Sequence, residues 1–172
     1  MLKRAMSWCS GLLIAATLVT APSSAAQADP PALPGNWTYV QNAKSGQYLS
    51  LAGGKGDNGS HAIQWAFNGN LDQQWELVAT GVSGYRYLRN ATSWRRLGIV
   101  GGNLANGAHA VIWNENSNND QRWLFRASGP GFQLINERSG KCLGVSGASP
   151  TQGAHVVQWT CNGSSDQVWI MG

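Results

Sequence analysis

A four-residue phrase occurs three times in this chain, and its spacing constrains the fold more than any other feature. Each copy reads aspartate, glutamine, any residue, tryptophan: Asp72-Gln73-Gln74-Trp75, Asp120-Gln121-Arg122-Trp123 and Asp166-Gln167-Val168-Trp169. We call their last residues the closing tryptophans; they are separated by 48 and then by 46 residues. A period of this length is typical of one supersecondary unit per copy, so the sequence predicts a threefold repeat.

Other residues recur at the same period, which indicates that the whole unit is repeated. They are Asn42, Asn90 and Asn136; Leu49, Leu97 and Leu143; Gly59, Gly107 and Gly153; His61, His109 and His155; Trp65, Trp113 and Trp159; and Asn68, Asn116 and Asn162. We call Trp65, Trp113 and Trp159 the strand-end tryptophans and the last set the turn asparagines. The predicted units span approximately residues 37–80, 81–128 and 129–172.

The first 28 residues differ in character from the rest. Lys3 and Arg4 precede an apolar run from Leu12 to Val19, and Ala26-Gln27-Ala28 has the small-x-small form of a signal-peptidase site. A retained membrane anchor is the alternative, but a spanning helix needs about 20 apolar residues, and Pro22 ends this run early. We predict a signal peptide over residues 1–28, a secreted protein, and one mature domain over residues 29–172.

Charge and cysteine content narrow the function of the mature chain. Loss of Lys3 and Arg4 reduces the 12 basic residues to ten, against eight acidic ones, which gives no basic patch of the kind that tracks phosphates. Nucleic acid is therefore not an expected partner, and neither is a membrane. Of three cysteines, Cys9 leaves with the signal, and an even number in an exported chain predicts a Cys142–Cys161 disulfide.

The mature chain is predicted to be all-β. Glycine and asparagine interrupt it every few residues, and no apolar period of 3.6 persists long enough for a helix after residue 30. The pattern indicates about four short strands per unit, the third of which ends at a strand-end tryptophan. Three units are too few for a propeller, which needs about four blades. A threefold barrel with a hairpin cap removes the exposed sheet edges instead.

These motifs resemble the ricin B-chain type β-trefoil, a family of lectins and carbohydrate-binding modules, over essentially all of residues 37–172. The three Gln-x-Trp phrases carry the resemblance, together with the third unit's cysteine pattern, Cys142-Leu143 and then Trp159-Thr160-Cys161-Asn162-Gly163. It implies a β-trefoil fold and carbohydrate as the partner. No cofactor is expected. We expect a monomer.

A sugar requires an aromatic plate for its C–H face and fixed polar groups for its hydroxyls. The resemblance assigns stacking to the strand-end tryptophans and hydroxyl binding to polar residues around the closing phrase. The candidates are the turn asparagines; the closing aspartates Asp72, Asp120 and Asp166; and the closing glutamines Gln73, Gln121 and Gln167. Two structural alternatives remain open. The strand-end tryptophans could belong to the core, as we expect of the closing tryptophans, and the glutamines could satisfy turn backbone.

One departure from the family pattern concerns the ligand aspartate that follows the repeated leucine of each unit. We call these leucines, Leu49, Leu97 and Leu143, the hairpin leucines. We call the positions that follow them the hairpin positions, and here they hold Ser50, Gly98 and Gly144. An ionised acceptor is worth about twice a neutral one, so its loss predicts weaker or differently shaped sites. Only Ser50 retains a polar side chain, and it is a further candidate ligand. The closing aspartates could supply the acceptor from the opposite wall.

The three repeated histidines raise a metal hypothesis, since threefold symmetry could converge them on an axis and three imidazoles with water can hold zinc. The sequence favours simple duplication, because each histidine precedes a strand that is expected to lead to a lateral pocket. No metal site is therefore predicted.

Catalysis has little support in the sequence. Apart from the closing aspartates, only scattered carboxylates remain, and no Gly-x-Ser-x-Gly motif occurs. No catalytic residue is therefore predicted, and a small hydrolase is the least favoured hypothesis. A secreted carbohydrate-binding protein with up to three weak sites ranks first. A protein-interaction trefoil, with sugar sites lost at the hairpin positions, is the alternative.

Overall fold

A computed structural model of the chain describes residues 36–172. The predicted signal peptide lies outside the described residues. Strands β1 to β5 are Trp37–Thr38, Val40–Asn42, Tyr48–Leu51, Ala62–Trp65 and Trp75–Ala79. Strands β6 to β9 are Tyr85–Asn90, Arg96–Ile99, Ala110–Trp113 and Trp123–Ser128. Strands β10 to β13 are Gly131–Asn136, Cys142–Val145, Val156–Trp159 and Trp169–Met171.

Helical structure in residues 36–172 is limited to short 3-10 turns, two in each unit. They are Ala52–Gly54, Leu71–Gln73, Val100–Gly102, Asn119–Gln121, Ser146–Ala148 and Ser165–Gln167. None of the helices described has the length and apolar character needed to cross a membrane. The prediction of an all-β chain is confirmed.

The strands form a closed barrel and a cap of three hairpins. Antiparallel pairing runs from β1 through β5, β6, β9, β10 and β13 to β2, and β1 and β2 are consecutive segments of one chain stretch, so the ring closes. Hairpins β3–β4, β7–β8 and β11–β12 lie off the ring. Closure leaves no long unpaired edge, which is the reason that three units suffice. The β-trefoil prediction is confirmed.

The closing tryptophans form the centre of the shared core. All three are fully buried, and each indole Nε1–H donates to a leucine carbonyl across its unit. The acceptors are Leu49, Leu97 and Leu143, each at 3.0 Å. Since a buried indole N–H needs a partner, the leucine hairpin and the Gln-x-Trp phrase recur together for a structural reason.

The repeated asparagines near the front of each unit join neighbouring units. Asn42 Nδ2 donates to the Asp166 carbonyl at 2.8 Å, Asn90 Nδ2 to Asp72 at 3.0 Å, and Asn136 Nδ2 to Asp120 at 2.6 Å. Each amide therefore holds the turn that carries the closing aspartate of another unit. Buried side-chain to backbone bonds of this kind are costly to break, so they fix the turns that surround the pockets described below.

The three units use different chemistry at the base of the cap hairpin. Cys142 and Cys161 form a disulfide in the third unit, as predicted. Arg96 and Glu115 form an ion pair at 2.8 Å at the same place in the second. In the first, the rings of Tyr48 and Phe67 lie 5.4 Å apart.

A second asymmetry lies at the turn before each cap hairpin. Gly46 and Gly140 adopt φ of 69° and 66°, whereas Trp94 holds the equivalent backbone at 61° in the second unit. The Trp94 side chain is 60% exposed. It packs edge-on against Trp37, and the guanidinium of Arg89 lies 4.6 Å from the centre of its ring.

Candidate functional site

Each unit carries one lateral pocket between its cap hairpin and its closing turn. The cavity volumes are about 280, 260 and 230 Å³ in the first, second and third units. The same four positions line all three: the hairpin position, the strand-end tryptophan, the turn asparagine and the closing aspartate. The structure therefore brings these predicted residues together three times.

The strand-end tryptophans stand at the mouths of the pockets. They are 37%, 46% and 49% exposed in chain order, whereas the three residues before each of them are buried strand. The alternative that they belong to the core is wrong for all three. An indole fixed at the end of a rigid strand and open to solvent can offer a flat apolar face to a sugar.

The repeated glycines support these indoles from the neighbouring unit, a contact that the sequence analysis missed. A Cβ at Gly59 would lie 3.3 Å from Trp113 Cζ3, and one at Gly153 would lie 3.4 Å from Trp65 Cζ3. Gly107 stands in the same relation to Trp159, at 3.7 Å. All three glycines have φ between 82° and 85°, a backbone conformation that residues with a Cβ rarely adopt. The glycine repeat therefore has both a backbone reason and a packing reason.

The closing aspartates are buried, with exposed fractions of 6% to 7%, yet they line the pockets. In the first unit, Asp72 Oδ2 accepts a hydrogen bond from the Ser50 hydroxyl and lies 3.4 Å from the Leu51 N–H. In the second unit, burial raises the pKa of Asp120, against smaller opposing effects from backbone N–H groups and from Arg138. An ionisable acceptor is thus present in each pocket.

The hairpin positions explain how this acceptor fits. A Cβ at Gly98 would lie 3.0 Å from Asp120 Oδ2, and one at Gly144 would lie 3.3 Å from Asp166 Oδ2. Glycine therefore leaves room for a carboxylate that enters from the closing turn. In these two units a carboxylate oxygen of the closing aspartate therefore lies beside the hairpin position.

The turn asparagines use their side-chain oxygen inside the loop. Oδ1 of Asn68, Asn116 and Asn162 each accepts from the backbone N–H two residues ahead, at 2.9 Å. This Asx-type contact shapes the loop. It leaves the amide Nδ2 as the group that each asparagine can direct to a ligand.

The closing glutamines lie behind the pockets, with their amides bonded to loop backbone. Gln73 Oε1 accepts from the Asn68 N–H at 2.9 Å, and its Nε2 donates to the Ala66 carbonyl at 2.9 Å. Gln121 and Gln167 repeat both contacts. All three are buried, and among them only Gln167 contributes to a pocket wall. These contacts correspond to the alternative that the amides satisfy backbone, which gives the glutamines a positioning role.

The repeated histidines lie elsewhere, on the pseudo-threefold axis. Their ring centres are 4.6, 4.8 and 5.2 Å apart. Each histidine precedes a strand that ends at a pocket tryptophan, as expected, but the three strands begin close together at the axis, so the three rings also meet there. Burial, together with the charges of His155 and His61, lowers the pKa of His109.

The structure is thus an all-β trefoil with three equivalent lateral pockets, each with an aromatic mouth and a polar base. The family model of the ricin-type beta-trefoil lectin domain matches residues 36–169. The chain belongs to this family, and carbohydrate binding is the function that this membership supports. A comparison with curated protein sequences gave no match.

Solved structures agree with this assignment. The designed threefold-symmetric protein ThreeFoil is 28% identical with a TM-score of 0.77, over 80% of this chain and 98% of that one. An exo-beta-1,3-galactanase from Clostridium thermocellum is 30% identical with a TM-score of 0.76, over 81% of this chain but 31% of the galactanase. A ricin B-like lectin from Macrolepiota procera, in complex with lactose, shares the fold at 24% identity and a TM-score of 0.68, over 83% and 98%.

Proposed function

We propose that this chain is a secreted, non-enzymatic, monomeric carbohydrate-binding protein that binds glycans weakly at its three lateral pockets. The observation that carries the proposal is the pairing, in every unit, of a solvent-open indole with a nearly buried carboxylate across one pocket. The indole matches the C–H face of a sugar ring, and the carboxylate matches its hydroxyls.

Weak single sites gain strength on a repetitive ligand. Each pocket is small and open at its indole, so it encloses one or two sugar residues rather than a long chain. A polysaccharide that occupies two pockets makes the second event intramolecular, which raises avidity by about 100-fold to 10,000-fold without new contacts. The proposed ligand is therefore a polymer or a clustered glycan.

The carboxylate arrangement supports binding without hydrolysis. Glycosidases use two carboxyl groups about 5 to 9.5 Å apart, whereas each pocket has one aspartate among its lining residues. The glutamates Glu76, Glu115 and Glu137 are ion-paired with Arg89, Arg96 and Arg122. Among the residues described, none of these three pocket walls therefore holds the pair of carboxyl groups that glycosidases use.

Calorimetric titration with lactose, galactan and xylan tests the proposal. Lactose is the first probe because the Macrolepiota procera lectin binds it. We expect weak binding of at least one glycan, tighter binding of the corresponding polymer, and loss of both when all three strand-end tryptophans are replaced by alanine. The control is Trp94→Ala, which removes an indole 60% exposed that lines none of the three pockets.

Two results would contradict the proposal. A flat response to a broad glycan panel, with a stoichiometric protein partner recovered from culture supernatant in the presence of sugars, would favour the protein-interaction trefoil. Release of reducing sugar by the wild type but not by Asp120→Asn would show an enzyme. Secretion has its own test, since the extracellular protein should begin at Asp29.

A further inference from the structure

The repeated histidines His61, His109 and His155 have a role that the pockets leave unexplained. They immediately precede the second strands of the three cap hairpins, and isolated bridges join those strands around the axis. The bridges pair His61 with Val111, His109 with Val157, and His155 with Ile63. Each histidine is thus anchored to the next unit, so the three rings belong to all units together.

The backbone holds the three histidines in equivalent positions. Their carbonyls accept from the N–H groups of Ala52, Val100 and Ser146 at 2.9, 3.0 and 2.9 Å. These backbone hydrogen bonds fix the Cα positions of the three histidines without involving their side chains. The imidazoles can therefore adjust by rotation about their side-chain bonds while the cap stays in place.

The ring geometry fits a small metal ion. One ligand nitrogen from each of the three imidazoles lies within 4.8 Å of the others, and His61 Nδ1 lies 3.2 Å from His109 Nδ1. Tetrahedral zinc, with nitrogen ligands at about 2.0–2.1 Å, places those nitrogens about 3.3 Å apart. The His61–His109 pair has this separation. The ligand nitrogen of His155 lies within 4.8 Å of the others and reaches the ion by rotation of its side chain.

The chemistry of the donor set selects the ion. Neutral imidazole is the form of histidine that binds a metal, through a ring nitrogen. No carboxylate belongs to this cluster in the described chain, which disfavours calcium and magnesium. A trigonal set of imidazoles suits tetrahedral zinc better than the tetragonal geometry of divalent copper.

We propose that His61, His109 and His155 form a zinc site on the pseudo-threefold axis, with water as the fourth ligand. His155 is exposed while His61 and His109 are half-buried, so the site opens to solvent on one side. The ion would join the three cap hairpins and stabilise the folded chain, since it binds the native state and not the unfolded one. The site is independent of the lateral pockets.

Calorimetric titration of untagged protein with zinc chloride, after dialysis against a chelator, tests the site. We expect one zinc per chain and a melting temperature that rises with zinc but not with magnesium. The variant His109→Gln should bind zinc at least about tenfold more weakly. The triple variant with glutamine at all three positions should lose both responses.

Two controls keep the result interpretable. Melting curves without metal show that each variant folds, and a lactose titration of the zinc-free protein shows that the lateral pockets remain unchanged. Zinc binding at less than one per chain, or binding that survives the triple replacement, would overturn the proposal. An unchanged melting temperature at saturating zinc would also overturn it, because an ion bound across three units must favour the folded state.

Discussion

Each unit repeats two tryptophans at the same period, and the fold treats them in opposite ways. The closing tryptophans are fully buried, and their N–H groups are bonded to leucine carbonyls. The strand-end tryptophans are 37% to 49% exposed and rest on a glycine of the neighbouring unit. The sequence period shows only that both tryptophans belong to the repeated unit. Their contacts show that the closing tryptophan stabilises the fold and that the strand-end tryptophan is available to a ligand.

Replacement of one tryptophan of each set by alanine should give the largest difference in the free energy of unfolding. We expect Trp123→Ala to lower the free energy of unfolding by about 3–5 kcal/mol, because it empties the core and removes a buried hydrogen bond. Trp113→Ala should lower it by about 1 kcal/mol, since almost half of that side chain is already in water. Denaturant unfolding measures both values. Equal losses would show that the strand-end indole is a core residue.

Removal of the disulfide in the third unit can show whether stability and glycan binding depend on the same contacts. Cys142 lies opposite Trp159 in the hairpin ladder and is bonded to Cys161. Replacement of both cysteines by alanine should lower the free energy of unfolding by about 3 kcal/mol, through the entropy of the unfolded chain. The number of glycan sites found by calorimetry should not change. Loss of one site would show that the disulfide also positions the indole.

The glycine beneath an indole can be tested against a glycine with similar backbone and no such neighbour. Gly59→Ala places a methyl group 3.3 Å from Trp113 at a φ of 85°, and we expect a loss of about 1–2 kcal/mol. Gly81→Ala has φ of 79° with open space around it, so it carries the backbone effect alone. Only Gly59→Ala should weaken glycan binding at the second pocket. Equal binding by the two variants would remove the support role of Gly59.

Acidification should produce the smallest effect, at the second pocket. The pKa of Asp120 is raised by burial. As the pH falls, this carboxylate is therefore protonated at a higher pH than an ordinary aspartate, and its protonation should weaken binding. A variant with Trp65→Ala and Trp159→Ala isolates this pocket, and calorimetry from neutral pH to about pH 4 follows the ionisation. Asp120→Asn in the same background should bind weakly with a flat pH profile. A steep profile in that variant would assign the titration to another group.

The fold was largely predictable because its signals are local or periodic. The Gln-x-Trp phrases, the hairpin leucines and Cys142 with Cys161 predicted the trefoil, the core and the disulfide. Contacts between units were not predictable. The packing of Gly59 under Trp113 joins residues 54 positions apart, and the meeting of the histidines depends on how three hairpins converge. A repeat pattern shows that such residues recur, but not which unit they touch.

The most direct test of the account is an NMR titration of the indole N–H signals with the glycan that calorimetry selects. Residues 36–172 contain eight tryptophans, including the three strand-end and the three closing ones. We predict that the signals of Trp65, Trp113 and Trp159 shift with glycan concentration while those of the closing tryptophans stay in place. Glycan binding that leaves the strand-end signals unmoved would contradict the assignment of the ligand to the lateral pockets.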